Sequence, residues 1–128
     1  MIVGDSSYFV ALADRKDRWH QNALRLRKDV PSEFLVSDLT VAETVTIIGA
    51  RSGGGAAQTL YEFFVDECDM AFVTGELLQE AMGHHLLYDG VLSVADCVSV
   101  TLMSRRNIQD IVSFDADFDR VRGIHRIR

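Results

Sequence analysis

Proline occurs once in the 128 residues, and cysteine and lysine twice each. With one proline and no Ser/Pro-rich tract, linkers, tails and collagen-like repeats are excluded. Cys68 and Cys97 are too few for a disulfide framework, lack CxxC spacing and have no metal-type histidine beside them. Apolar runs end after a few residues, too short to cross a bilayer. The opening Met1-Ile2-Val3-Gly4-Asp5 has neither a basic n-region nor an h-region. No signal peptide is therefore expected, and the expected location is cytoplasmic. Basic charge is missing from the middle of the chain: Ser52 to Ser104 holds no Lys or Arg against eight acids. A net charge of −6 argues against a simple electrostatic nucleic-acid binder. Acids that gather around cations reverse that local sign, so a polyanionic substrate stays admissible if the acids cluster.

What is present is an ordinary globular composition, 48 % hydrophobic and 25 % charged, at the length of one domain spanning 1–128. Ile2-Val3-Gly4 opens as a short apolar run, followed by a predicted helix over 6–13 capped by Asp5 or Ser6. Further helices are predicted over 19–29, 40–51, 56–67, 76–87 and 93–106. Strands are predicted over 34–37, 70–73 and 110–114, with a last short one over 124–127. Strands alternating with helices of 10–15 residues imply a three-layer α/β/α sandwich with a central, mostly parallel sheet. Ligands of such sheets gather at the C-terminal strand ends. Asp5 and Asp115 fall there.

Four positions could carry chemistry: Asp5, Glu43, Asp96 and the Asp115/Asp117 pair. Taken singly, each is explained by helix capping. Asp5 reads as an N-cap, Thr40-x-x-Glu43 and Ser93-x-x-Asp96 fit the capping box, and Asp115-Ala116-Asp117 fits a capping turn. Capping does not require the capped ends to converge, whereas a metal site does. Carboxylates gathered at one sheet edge repel one another unless cations lie between them. Mg²⁺ or Mn²⁺ would turn them into a hydrolytic centre.

The order of the motifs is more specific than any one of them. Val3-Gly4-Asp5-Ser6-Ser7, Asp17-Arg18-Trp19-His20-Gln21-Asn22-Ala23, Val41-Ala42-Glu43-Thr44, Tyr88 to Asp96 and Ile111 to Phe118 follow one another as in PIN-domain proteins, which the chain resembles over nearly its whole length. Within that family it is most similar to the small toxins of VapBC-type toxin–antitoxin pairs. The resemblance implies an Mg²⁺- or Mn²⁺-dependent endoribonuclease acting on single-stranded or looped RNA, held in check by a small antitoxin protein. It places Asp5, Glu43, Asp96 and Asp115 as the metal-binding, catalytic quartet. Ser6 and Ser113 become orienting hydroxyls, and Asp117 an acid just outside the quartet. The departures are Gly4 before the first acid and Ser rather than Thr at 113. A noncatalytic PIN-like scaffold for RNA or protein is the alternative, and the complete quartet speaks against it. A receiver-type phosphoacceptor ranks below both, since neither Lys16 nor Lys28 stands at a strand end.

Other residues have plainer readings. His84 and His85 are adjacent and point to different helix faces, and His20 is expected to pack or cap. Cys97 reads as a small buried hydrophobe. Arg15, Arg18, Arg25 and Lys28 form either a solvated stripe or an RNA guide, and the tail arginines either guide RNA or pair with Asp117 and Asp119. Phe63-Phe64 with Leu60 and Tyr61 exceeds what one helix face hides, which points to a homodimer or an antitoxin contact.

Overall fold

Short apolar runs supply the strands, and all 128 residues are described by the computed structural model. The strands are β1 (Ile2–Gly4), β2 (Phe34–Ser37), β3 (Cys68–Ala71), β4 (Asp110–Val112) and β5 (His125–Ile127). They form one sheet in the order β3-β2-β1-β4-β5, and every neighbouring pair is parallel. The sheet expected to be mostly parallel is parallel throughout. Six helices complete the fold: α1 (Ser6–Ala13), α2 (His20–Leu26), α3 (Asp38–Ser52), α4 (Gly54–Glu67), α5 (Gly75–Leu87) and α6 (Val94–Arg106). A 3-10 turn covers Ala116–Arg120.

Successive strand residues point to opposite faces, and the core divides accordingly. Val3, Leu35 and Ile111 pack with Leu77, Ala81 and the buried side of α6 on one face. Ile2, Phe34, Val36 and Val112 pack with Tyr8, Phe9, Ala23 and Phe64 on the other. Both faces are covered, as a parallel sheet requires. Gly4 ends β1 because no Cβ fits there: one would lie 2.3 Å from the Phe9 ring.

Several element bounds differ from the sequence expectation. β3 starts at Cys68 and ends at Ala71, two residues early, because its register with β2 begins at Phe34↔Cys68. α2 covers only His20–Leu26 of the predicted 19–29. α3 begins at Asp38, capped by the Ser37 hydroxyl on the Thr40 amide, so Glu43 lies in its second turn and makes no capping box. α3 and α4 meet at Gly53, whose φ of 90° only glycine adopts readily.

Phe64 is fully buried in its own core, so the apolar excess read into Phe63-Phe64 is smaller than expected. Phe63 is instead on the rim of an apolar groove of about 480 Å³ between α1, α4 and the segment that follows α2, lined also by Leu12, Val30 and Leu60. A second exposed apolar stripe, absent from the sequence reading, runs along α5 through Leu78, Met82 and Leu86.

Candidate active site

The chain starts in the middle of the sheet and places β2 and β3 to one side, β4 and β5 to the other. The reversal falls between β1 and β4, where doubly wound folds open a crevice beyond the strand ends. Asp5 follows β1, and Ser113 to Asp115 follow β4. The ladder is continued past both strands by the Asp5 amide donating to the Val112 carbonyl at 3.1 Å and the Ser113 amide to Ile127 at 3.0 Å.

Asp5 is buried and caps α1, its Oδ2 accepting from the Ser7 amide at 3.4 Å. The same oxygen accepts the Ser7 and Ser113 hydroxyls, each at 2.6 Å. These hydroxyls are themselves fixed, Ser7 by the Phe114 amide at 2.9 Å and Ser113 by the Asp115 amide at 3.0 Å. Every hydrogen bond to the carboxylate goes to Oδ2. No buried side-chain oxygen lacks a partner, so the unbonded Oδ1 reaches the crevice.

The other three acids behave alike. Asp96 occupies the third position of α6 and makes the capping box with Ser93, its Oδ2 accepting the Ser93 amide at 3.2 Å while Oδ1 stays free. Asp115 caps the 3-10 turn, its Oδ1 accepting the Asp117 amide at 2.9 Å, with Oδ2 free. Glu43, on α3, accepts no hydrogen bond of good geometry, although the nearby Ser6 hydroxyl lowers its pKa. Each of the four thus keeps at least one carboxylate oxygen clear of protein donors.

Electrostatics brings the four together. Burial raises the pKa of Asp5 above its ordinary 3.8 despite the Ser113 and Ser7 hydrogen bonds that oppose it, and the Asp115 charge adds to the rise. Glu43, exposed as a whole residue, is raised by partial burial of its carboxyl and by the charges of Asp5 and Asp115. Asp96 is pushed up to about 7, first by burial and then by Asp5. Asp5 and Asp115 thus act on both Glu43 and Asp96, although no three His, Cys, Asp or Glu side chains form a close ligand cluster. The donors are all hard carboxylate oxygens, each with an unpaired position. That set fits Mg²⁺ or Mn²⁺, which complete their shells with water.

Residue by residue, the structure sets Ser113 against Asp5 and Ser6 beside Glu43. Asp117 contributes its backbone amide to Asp115, and its side chain pairs with Arg120 at 3.4 Å. Ser7, not singled out in the sequence, is the central link between β1 and β4. Its position two residues after a strand-end Asp was the available signal. Of the two readings of the tail arginines, pairing is seen: Arg120 meets Asp117, and Arg126 clasps Asp119 through Nε at 2.9 Å and Nη2 at 2.8 Å and also donates to the Ser113 carbonyl at 3.2 Å. His20 and His85 serve structure, their Nδ1 atoms 2.6 Å and 2.7 Å from the carbonyls of Ala11 and Leu92. Cys97 is fully buried and its thiol is pushed up to about 11 by burial, so it is no nucleophile.

The PIN domain pattern matches residues 2–124. The chain belongs to the PIN-domain family. Among its PIN relatives, the 23S rRNA-specific endonuclease VapC20 of Mycobacterium tuberculosis is 29 % identical over 120 residues, 92 % of each chain. The crystal structure of that VapC20, a sarcin–ricin loop cleaving toxin, superposes with a TM-score of 0.88 at 26 % identity over 97 % of each chain. A toxin–antitoxin complex from Klebsiella pneumoniae shares the fold at a TM-score of 0.73 and 11 % identity, covering 98 % of this chain and 96 % of the other. VapBC2 from Rickettsia felis, bound to a DNA fragment from its promoter, shares it at 0.67 and 13 %, covering 99 % and 98 %. This PIN domain is a homologue of VapC-type toxin ribonucleases.

Proposed function

We propose that this PIN domain is a metal-dependent endoribonuclease that cuts single-stranded or looped RNA and serves as the toxin of a toxin–antitoxin pair. The observation that supports the reading is electrostatic: Asp5 and Asp115, beyond the strand ends at the switch point, raise the pKa of both Glu43 and Asp96, carboxylates carried by two further elements. Each offers an oxygen that no protein group satisfies. When bound there, Mg²⁺ or Mn²⁺ supplies Lewis acidity to water and to the phosphodiester.

The chain's own residues do the positioning. Ser7 and Ser113 hold Oδ2 of Asp5 and aim Oδ1 outward. The Asp117 amide and the Ser93 amide do the same for Asp115 and Asp96, while Glu43, with Ser6 nearby, is held by no such bond. Asp96 retains its proton on part of the molecules near neutrality and gives it up as a cation arrives. Water is the nucleophile, and no side chain forms a covalent intermediate.

VapC20's specificity makes 23S rRNA the first natural substrate to offer. The groove beside Phe63 and the stripe on α5 supply two apolar surfaces for the proposed contacts, an antitoxin and a second copy of the chain.

Cleavage of end-labelled single-stranded RNA and of 23S rRNA tests the reading. Products should form with Mn²⁺ and vanish with EDTA or in Asp96→Asn. Undiminished cleavage by Asp96→Asn would overturn the assignment of the site. Absence of cleavage, with no rise in melting temperature on adding Mn²⁺, would favour a noncatalytic scaffold.

A further inference from the structure

Beside the carboxylates lies a cleft of about 450 Å³ lined by Trp19, Asn22, Phe114, Ala116, Arg126 and Arg128. Its volume falls in the range of about 300–1,000 Å³ found for small-molecule sites. The wall is aromatic and cationic. Trp19 stacks on Phe114 with ring centroids 5.2 Å apart and planes 6° from parallel, and Phe114 sits between Ser113 and Asp115 in the chain. The Arg18 guanidinium lies 4.6 Å over the Trp19 ring, from an exposed side chain.

The Arg126 side chain is only 4 % exposed. Asp119 and the Ser113 carbonyl take three of its five N–H groups, leaving two free. Arg18 and Arg128 join no ion pair. On a chain of net charge −6, three arginines therefore meet an aromatic platform at the rim of the acidic crevice.

Resting on the nuclease reading, we propose that this cleft is the subsite for the nucleotide next to the scissile bond of the RNA. Arg126 and Arg128 take its phosphate. Its base stacks on Trp19, displacing Arg18, which moves to the backbone. The exchange is favourable because an exposed cation–π contact is weaker than a base–aromatic stack. The stack supplies affinity without base identity, since every base has a π face. The acids hold the chemistry, and this cleft feeds the strand to them.

Trp19 is the only tryptophan, so its fluorescence reports on the cleft directly. A fluorescein-labelled single-stranded hexaribonucleotide, titrated in EDTA, is followed by anisotropy, and the unlabelled oligonucleotide by Trp19 emission. The expected result is saturable quenching with the midpoint of the anisotropy curve, weakened about tenfold by Arg128→Gln. In Mn²⁺, Trp19→Leu should raise KM for RNA about tenfold with kcat within about twofold, and Trp19→Phe should restore most of the loss. Melting curves of both variants show whether they are folded. RNA that is bound and cleaved while Trp19 emission stays constant would overturn the subsite and leave the nuclease standing. Quenching by RNA without cleavage would uphold the subsite and remove the nuclease. Neither binding nor cleavage would overturn both.

Discussion

Removing one charge from the carboxylate crevice should stabilise the protein, against the usual direction for a buried polar residue. The Asp96 carboxyl titrates at about 7 in the folded chain against an ordinary 3.8, mainly from burial and then from the charge of Asp5. A group shifted upward in this way costs the fold nothing below pH 3.8 and its full penalty above pH 7. Its share of stability is therefore lost as pH rises through that window. At about 1.4 kcal/mol per pH unit the full penalty is about 4 kcal/mol, and solvent over the part-exposed carboxyl reduces it to about 2 kcal/mol. Asp96→Asn removes the charge and keeps an oxygen for the Ser93 amide. In EDTA at pH 8 it should raise stability by about 2 kcal/mol, or roughly 6–10 °C in melting temperature for a domain of this size. At pH 5 the folded carboxyl is already protonated, and the gain should shrink below about 1 kcal/mol. Mn²⁺ at a hundred times its Kd should then add about 2.7 kcal/mol to the wild type and clearly less to the variant. Thermal unfolding followed by circular dichroism reads all of these. A variant no more stable than wild type at pH 8 in EDTA would refute the repulsion. Equal gains from Mn²⁺ in both would refute Asp96 as a ligand.

Two further substitutions probe the support of the site. Ser113→Ala removes a fully buried hydroxyl that donates to Asp5 and accepts from the Asp115 amide. It should cost about 1–3 kcal/mol in urea unfolding and lower cleavage at least tenfold, and unchanged cleavage would show that Asp5 needs no such restraint. Gly4→Ala forces a Cβ to 2.3 Å from the Phe9 ring, and overpacking of this kind costs about 1–3 kcal/mol. In a double-mutant cycle the cost should fall once Phe9→Leu opens the space, and strict additivity would exclude the clash as the cause.

The architecture was legible because strand and helix periods alternate cleanly along the chain, and the parallel sheet follows from that alternation. Bounds were less so. β3 is set by pairing with Phe34 to Ser37 of a distant strand, which no local propensity in Cys68–Ala71 encodes. Gly4, legible only as a departure, is explained by a ring five residues later that folds back under the strand. The acids could be read as a set because their order along the chain is distinctive, but which acid each hydroxyl meets was not legible. Ser6 stands nearest the first acid in sequence, yet it is Ser7 that bonds Asp5, because the capping geometry turns the second residue of the helix back to the cap. The Thr40–Glu43 box failed for a similar reason: Ser37 had already taken the cap, leaving Glu43 unbonded in the second turn. That a tail arginine would pair with Asp119 was legible from opposite charge, but the bond of Arg126 to the Ser113 carbonyl was not, because it forms only when β5 closes the sheet beside β4.

Capping and metal chemistry looked like rival explanations of the same acids, and the geometry makes them one. In a parallel sheet each helix starts near the C-terminal edge of the preceding strand, so the caps of successive helices are delivered to one edge of the molecule. Asp5 and Asp115 are N-caps and Asp96 closes the capping box of α6 behind Ser93, and the backbone amides they accept fix one oxygen of each and leave the other without a protein donor. Those amides also lower the energy of the charged form, in opposition to the burial that raises it. For Asp5 and Asp96 burial prevails, since both remain above the ordinary carboxylate range. The carboxylates are thus held in place by bonds that do not depend on a cation, while the excess charge that a cation would neutralise is left standing. Glu43 has no such bond. It is therefore the acid free to adjust its position, and Glu43→Gln should weaken Mn²⁺ binding while changing metal-free stability less than Asp96→Asn does.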